Sequence, residues 1–349
     1  YMNKSAYEAL NGFFTEREDE VVEIEVLPPA IQPPDGVLMK NGLNLGVPKR
    51  TLALAFVEAR QRFFASLKLD GQASKTCLEA SRVILLFDPE HLTAANFRKR
   101  RLLCLKDRVK DGSGIAEHEE YSKSLTREIV FLDTILNSPL HRQSKSPTLW
   151  YHRAWLQDLL VPTSLTSSPE DRFLSVRTEL NAVMKAGEQH PKNYYAWQYA
   201  RRLFTRTDNA HHHSFLVASA FSVKAWCCKH PSDISGWAFL IFLLPKLQSV
   251  TTRMTVVKQV LEFATSLHFD KESLWAYLRT VLADATLEAE RGVAVSLLRD
   301  YQKESTSTGA ETSSNIRIAQ TLRWIEIYSV PPYEPGPISS SQHGRQMYT

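Results

Sequence analysis

The chain has 349 residues, 43% of them hydrophobic and 23% charged, which is enough apolar material for a large core and too much for a disordered polypeptide. A formal charge of +4 demands no nucleic-acid partner, and only 13 glycines argue against a turn-rich all-β fold. Four cysteines (Cys77, Cys104, Cys227 and Cys228) without a CxxC pair exclude a disulfide framework, and no apolar run approaches the roughly 20 residues that span a bilayer. The expectation is a cytoplasmic protein that is not an integral membrane protein.

In chain order, residues 1–20 are polar and suit one loose helix. Residues 21–48 read as extended and proline-rich, so 1–48 forms an N-terminal extension. Regular structure is expected from Pro48, placed in the first turn of a helix whose Phe56, Ala59, Phe63 and Leu67 share a face. From there to residue 329, helix follows helix with short Pro, Gly, Ser or Asp punctuation. One such helix is 117–136, with Leu125, Ile129, Leu132 and Leu136 on a stripe. The Pro-, Ser- and Gly-containing segment 330–349 is expected to be a disordered tail.

Internal repetition is the informative signal. SKSPTLW ends at Trp150, HPKNYYAW at Trp197, HPSDISGW at Trp237 and FDKESLW at Trp275, and DPEHLTAA fits the same frame with Ala95 in place of tryptophan. Successive key positions are 55, 47, 40 and 38 residues apart, room for two helices and two connections each. The frame predicts an all-α, right-handed alpha-alpha solenoid of stacked helical hairpins. Ser146, Asn193 and Asp233 stand four residues before their tryptophans and are predicted helix N-caps, with Pro191 and Pro231 ending the preceding segments. Trp150, Trp197, Trp237 and Trp275 are predicted structural anchors, with HPKNYYAW the most regular copy.

The pattern Pro-x-Asn-Tyr-x-x-Trp-x-x-Arg-Arg, clearest in HPKNYYAWQYARR and SPTLWYHRAWL, resembles the repeat of protein prenyltransferase alpha subunits, and ESLWAYLR at 272–279 looks like a late repeat of that family. The resemblance covers roughly residues 85–330. Ala95, Ala200 and Leu240 depart from it, in the manner of a divergent branch whose N-terminal region VLMKNGLNLGVP also looks similar. That branch implies an alpha-like subunit of a heterodimeric (type III) protein geranylgeranyltransferase, inactive alone. The implied partners are the beta subunit of the Rab-type enzyme, a prenyl diphosphate and a protein substrate with a reactive cysteine. No cofactor is implied in this chain; zinc belongs to the partner. The alternative is a non-catalytic helical-repeat scaffold that binds proteins.

By position, the family's diphosphate-stabilising lysine maps to Lys145, just before the Ser146 cap, where a helix N-terminus also favours an anion. Pro147 replaces the family's tyrosine. Lys192 holds the same place one repeat on. The resemblance places Tyr151, His152 and Arg153, with Lys192 and Tyr194, toward the partner or substrate; Tyr151, His152 and Arg153 equally suit cross-links between repeats. The basic run Arg98, Lys99, Arg100 and Arg101, followed by Lys106, Arg108 and Lys110, reads as a solvated helix face. Histidines 211–213 with Cys227, Cys228 and His230 match no tetrahedral metal spacing, so no metal site is expected here.

Overall fold

The computed structural model describes residues 2–71, 74–110, 114–163, 169–206, 213–307 and 313–329; the segment expected to be a tail, 330–349, lies outside the described residues. The chain forms two compact units, 1–246 and 247–349. The predicted all-α helical repeat is what folds, and helices account for nearly all regular structure.

The first unit starts well before Pro48. Helix α1 (Met2–Glu16) buries Leu10, Phe13 and Phe14 against its neighbours α2 (Lys49–Asp70) and α3 (Lys75–Phe87). Between α1 and α2, β1 (Glu23–Leu27), β2 (Met39–Asn41) and β3 (Asn44–Pro48) make a sheet in the order β1-β3-β2, parallel at β1–β3 and antiparallel at β2–β3. Asn41 pairs with Asn44 across a two-residue loop that Gly42, at φ 58°, can adopt without a Cβ penalty. The Asn-Gly signal was present in the sequence, but the prolines around it read only as an extended, proline-rich stretch. Pro48 ends β3 and caps α2 from outside, with an extended φ and ψ, rather than occupying the helix's first turn.

Beyond α3, hairpins form from α4 (Leu92–Lys110) and α5 (Ile115–Leu136), α7 (Pro147–Thr163) and α8 (Pro169–Gln189), and α9 (Tyr194–Arg206) and α10 (His213–Lys229). The one-turn α6 (His141–Ser144) precedes α7, and α11 (Ile234–Leu243) opens the next repeat. The first helices pack side by side, α4 on α7, α7 on α9 and α9 on α11. Backbone N–H groups of Val22 and Ile24 donate to Thr134 Oγ1 (3.2 Å) and Ser138 Oγ (2.9 Å), which docks β1 on the end of α5. The second unit contains α12 (Val250–Ser266), α13 (Glu272–Ala283), α14 (Glu288–Ser307) and α15 (Ser313–Tyr328), with α13 packed on α12 and α15.

Candidate functional site

The repeat frame builds the site from its helix starts. Ser146, Asn193 and Asp233 are the N-caps the sequence predicted. Ser146 Oγ accepts from Leu149 N–H (3.1 Å), Asn193 Oδ1 from Ala196 N–H (3.3 Å), and Asp233 Oδ1 from Ser235 and Gly236 N–H (2.9 and 3.0 Å). Each cap also reaches the preceding repeat. Ser146 Oγ donates to Glu90 and lies 3.3 Å from the Pro89 carbonyl, Asn193 Nδ2 donates to the Ser144 carbonyl (2.8 Å), and Asp233 Oδ2 accepts from Lys192 N–H (2.6 Å). One short polar residue therefore starts each helix and sets its register on its neighbour.

All four anchor tryptophans are buried. Trp150, Trp237 and Trp275 each donate Nε1–H to the carbonyl six residues earlier, at Ser144, Pro231 and Phe269 (2.8, 3.0 and 2.8 Å). Trp197 breaks this rule: among the described residues its Nε1 has no acceptor. Its ring packs edge-on against Trp226, which is wedged so tightly that a Cβ on Gly187 or Gly236 would come within 2.8 or 2.6 Å of the indole. The copy with the most regular sequence is thus the one whose indole departs from the repeat's hydrogen-bond pattern.

His152 and Arg153 do not face a partner. They are 0% and 1% exposed and knit neighbouring repeats together. Arg153 donates from Nε and Nη2 to Glu179 on α8 (2.6 and 2.9 Å), its Nη1 lies 2.8 Å from Asp133 on α5, and Tyr199 Oη donates to the same Glu179. One repeat earlier, Arg98 makes the same fork to Glu128 on α5 (2.9 and 2.7 Å), and His152 Nε2 lies 3.1 Å from that carboxylate. An arginine three residues past the key position grips a glutamate on the second helix. The residue two past the next key position closes the contact. Ala200 and Leu240 remove the arginine from later repeats.

Arg98 therefore does not belong to a solvated face, and Lys99 is half-buried with its ammonium 5.5 Å from the Trp155 ring centre. Burial, the largest single influence, would raise the Glu128 carboxyl, but Arg98 and His152 together outweigh it and hold the group at about 2. Burial lowers His152 more than Glu128 raises it, so the imidazole stays neutral and Arg98 is the counter-ion. Nothing local along the chain marks Glu128 and Glu179 as partners; only the regular placement of arginine after the key position hints at a repeated need for a carboxylate.

What α7 and α9 leave outside is aromatic. Tyr151 and Tyr194 are 63% and 59% exposed, and with Tyr195 they border a groove of about 210 Å³ floored by Trp150 and Tyr199. Arg202, ion-paired to Asp158 at 2.6 Å, and Gln198 supply polar groups along it. Tyrosines with an apolar ring and a free hydroxyl suit a protein or peptide surface. Lys145 is half-buried at the entry to α7, yet the anion beside that helix end is the chain's own: Glu90 accepts from Ser146 Oγ, and from Thr148 Oγ1 at 2.5 Å. Lys192 has an exposed side chain on a left-handed backbone, φ 60°. Among the described residues no three His, Cys, Asp or Glu side chains converge on a metal position; His211 and His212 lie outside them.

Comparison with known proteins falls on the same segment. A family model described as the ECM9 middle domain matches residues 149–260, which contain Trp150, Trp197, Trp237 and every groove residue except Pro147. Protein prenyltransferase alpha subunit repeat-containing protein 1 of Homo sapiens is 28% identical over 187 residues, 50% of this chain and 41% of its own length. The Danio rerio protein of that name is 27% identical over 226 residues, 60% of this chain and 47% of its own. The chain is similar to the prenyltransferase alpha-subunit repeat proteins over half or more of its length. It spans less than half the length of these curated relatives. Among the described residues no helix of this chain is long and apolar enough to cross a membrane.

Proposed function

We propose that this chain is the alpha-like subunit of a heterodimeric protein geranylgeranyltransferase, holding a Rab-type beta subunit through the surface around the tyrosine groove. The observation that carries this reading is the groove itself. Three exposed tyrosines stand between the second and third repeats, inside the segment that matches the family model, on helices fixed by caps and buried ion pairs. A rigid backbone with large amphipathic rings binds a protein at little entropic cost. The partner's zinc would supply activation of the substrate cysteine thiolate. This chain's contribution is to position the partner, the prenyl diphosphate and the protein substrate, with Lys145 as the cation toward the diphosphate. The chain alone transfers nothing, and it works in the cytoplasm.

The test is co-purification of the full chain with Rab-type beta subunit, followed by single-turnover geranylgeranyl transfer to a cysteine-terminated protein. A stoichiometric complex that transfers the prenyl group supports the reading; no complex at micromolar concentrations refutes it. A second reading, a non-catalytic scaffold, draws on Glu90. Its carboxylate already occupies the helix end where a diphosphate would gain most. A stable complex without transfer, unchanged in Glu90→Gln, favours the scaffold.

A further inference from the structure

Arg82, on α3, is 8% exposed and stands apart from the other buried guanidiniums. Arg98 and Arg153 each fork onto a glutamate, whereas among the described residues no carboxylate lies within ion-pair distance of Arg82. The nearby carboxylates are committed elsewhere: Glu128 to Arg98, Glu18 to Arg127, and Glu79 to Lys75 and Asn11. Arg82 donates from Nη1 to the Phe14 carbonyl (3.4 Å) and from Nη2 to Asn11 Oδ1 (3.2 Å) and Thr15 Oγ1 (3.0 Å). Its Nε has no acceptor among the described residues. Those contacts lie at the C-terminal end of α1, whose carbonyls favour a cation. A helix end returns much less than the desolvation of a buried charge takes away. Burial and then the charge of Arg98 push the Arg82 pKa down to about 10, so the site as it stands works against its own cation.

The same side chain lines a cavity of about 270 Å³ between α1, α3, α4 and α5. Phe14, Leu78, Leu102 and Phe131 give it apolar walls. We propose that this cavity binds a small organic monocarboxylate, its carboxylate against Arg82 and its hydrocarbon part against those four side chains. The charge count selects a monoanion. Of the other cations on the lining, Arg17, Lys75, Arg98 and Arg127 are ion-paired to Glu16, Glu79, Glu128 and Glu18, Glu120 acts on Arg101, and Lys123 offsets Glu20; the Arg82 charge is the one left over, which a carboxylate matches and a doubly charged phosphate ester exceeds.

Calorimetric titration of the full chain at pH 7 with octanoate, octanol and octyl phosphate tests this. Octanoate binds saturably at one site, about tenfold or more tighter than either of the others, because only it both pairs the guanidinium and adds a single charge. Arg82→Gln reduces octanoate to the level of octanol. Because that change also loosens the clasp on α1, Leu102→Phe serves as a second variant: it fills the cavity, leaves the guanidinium intact and abolishes binding. Octanoate binding no tighter than octanol, tighter binding of octyl phosphate, or undiminished binding in Leu102→Phe overturns the proposal.

Discussion

Replacing Arg153 by methionine separates two roles for the residue, a tie between repeats and a contact for a partner. Methionine keeps most of the side chain's volume and deletes the charge. Glu179 would lose two hydrogen bonds of 2.6 and 2.9 Å, and Asp133 a cation 2.8 Å away, in a site 1% exposed. Burial already raises the Asp133 carboxyl despite Arg153, so the unpaired acids would be held in a medium that disfavours their charge. Breaking one side of such a pair costs about 3–5 kcal/mol. In a unit of this size that is a fall in Tm of roughly 10 °C. The double variant Arg153→Met with Glu179→Leu removes both charges and should recover much of the loss. Later repeats show that the frame tolerates an uncharged residue there, since Ala200 occupies the arginine's place. Urea unfolding followed by far-UV circular dichroism measures all three proteins. A single variant within about 0.5 kcal/mol of the parent would refute the reasoning and return Arg153 to the partner-facing role.

Acidification provides a second check. Glu128 is held at about 2 in the fold against 4.5 unfolded, so its contribution is complete above pH 4.5 and is lost as pH falls toward 2, about 3 kcal/mol in all. His152 is also depressed, so stability should begin to decline below pH 6.5, and His152→Gln should flatten that first limb; a curve that rises on acidification to pH 5 would mean the imidazole charges in place. Trp197→Ala should cost about 3–5 kcal/mol and Gly187→Ala should also destabilise, because both disturb the Trp226 wedge; an unchanged urea midpoint for either would show the packing is loose. Tyr151→Ala with Tyr194→Ala should leave Tm unchanged and weaken beta-subunit association at least about tenfold by titration, since both rings are mostly exposed; equal affinity would remove the groove from the interface. Lys145→Ala should slow single-turnover transfer by about 10²–10³ without affecting assembly, and wild-type turnover would leave Glu90 in control of that helix end.

The periodic parts of this protein are written in its residue order. A short polar cap, a tryptophan four residues later and a spacing of 38–55 residues are local requirements of starting and anchoring a helix, so they are legible in one dimension. Chain-local cues were weaker before Pro48, where prolines masked the strand pairing of 23–27 with 44–48. Tertiary structure alone decided which face of α7 meets what. Trp150, Arg153, Ala154 and Gln157 are buried at one helical spacing and His152, Leu156 and Leu159 at another, because α7 is packed between neighbours on both sides. Tyr151 falls on the stripe left over, and it shares a groove with Tyr194 only because α9 lies beside α7. Three adjacent residues that looked alike as partner contacts thus separated into one surface ring and two buried cross-links. Their acids, Glu128 and Glu179, stand more than 20 residues away along the chain, a distance at which spacing carries no information about contact.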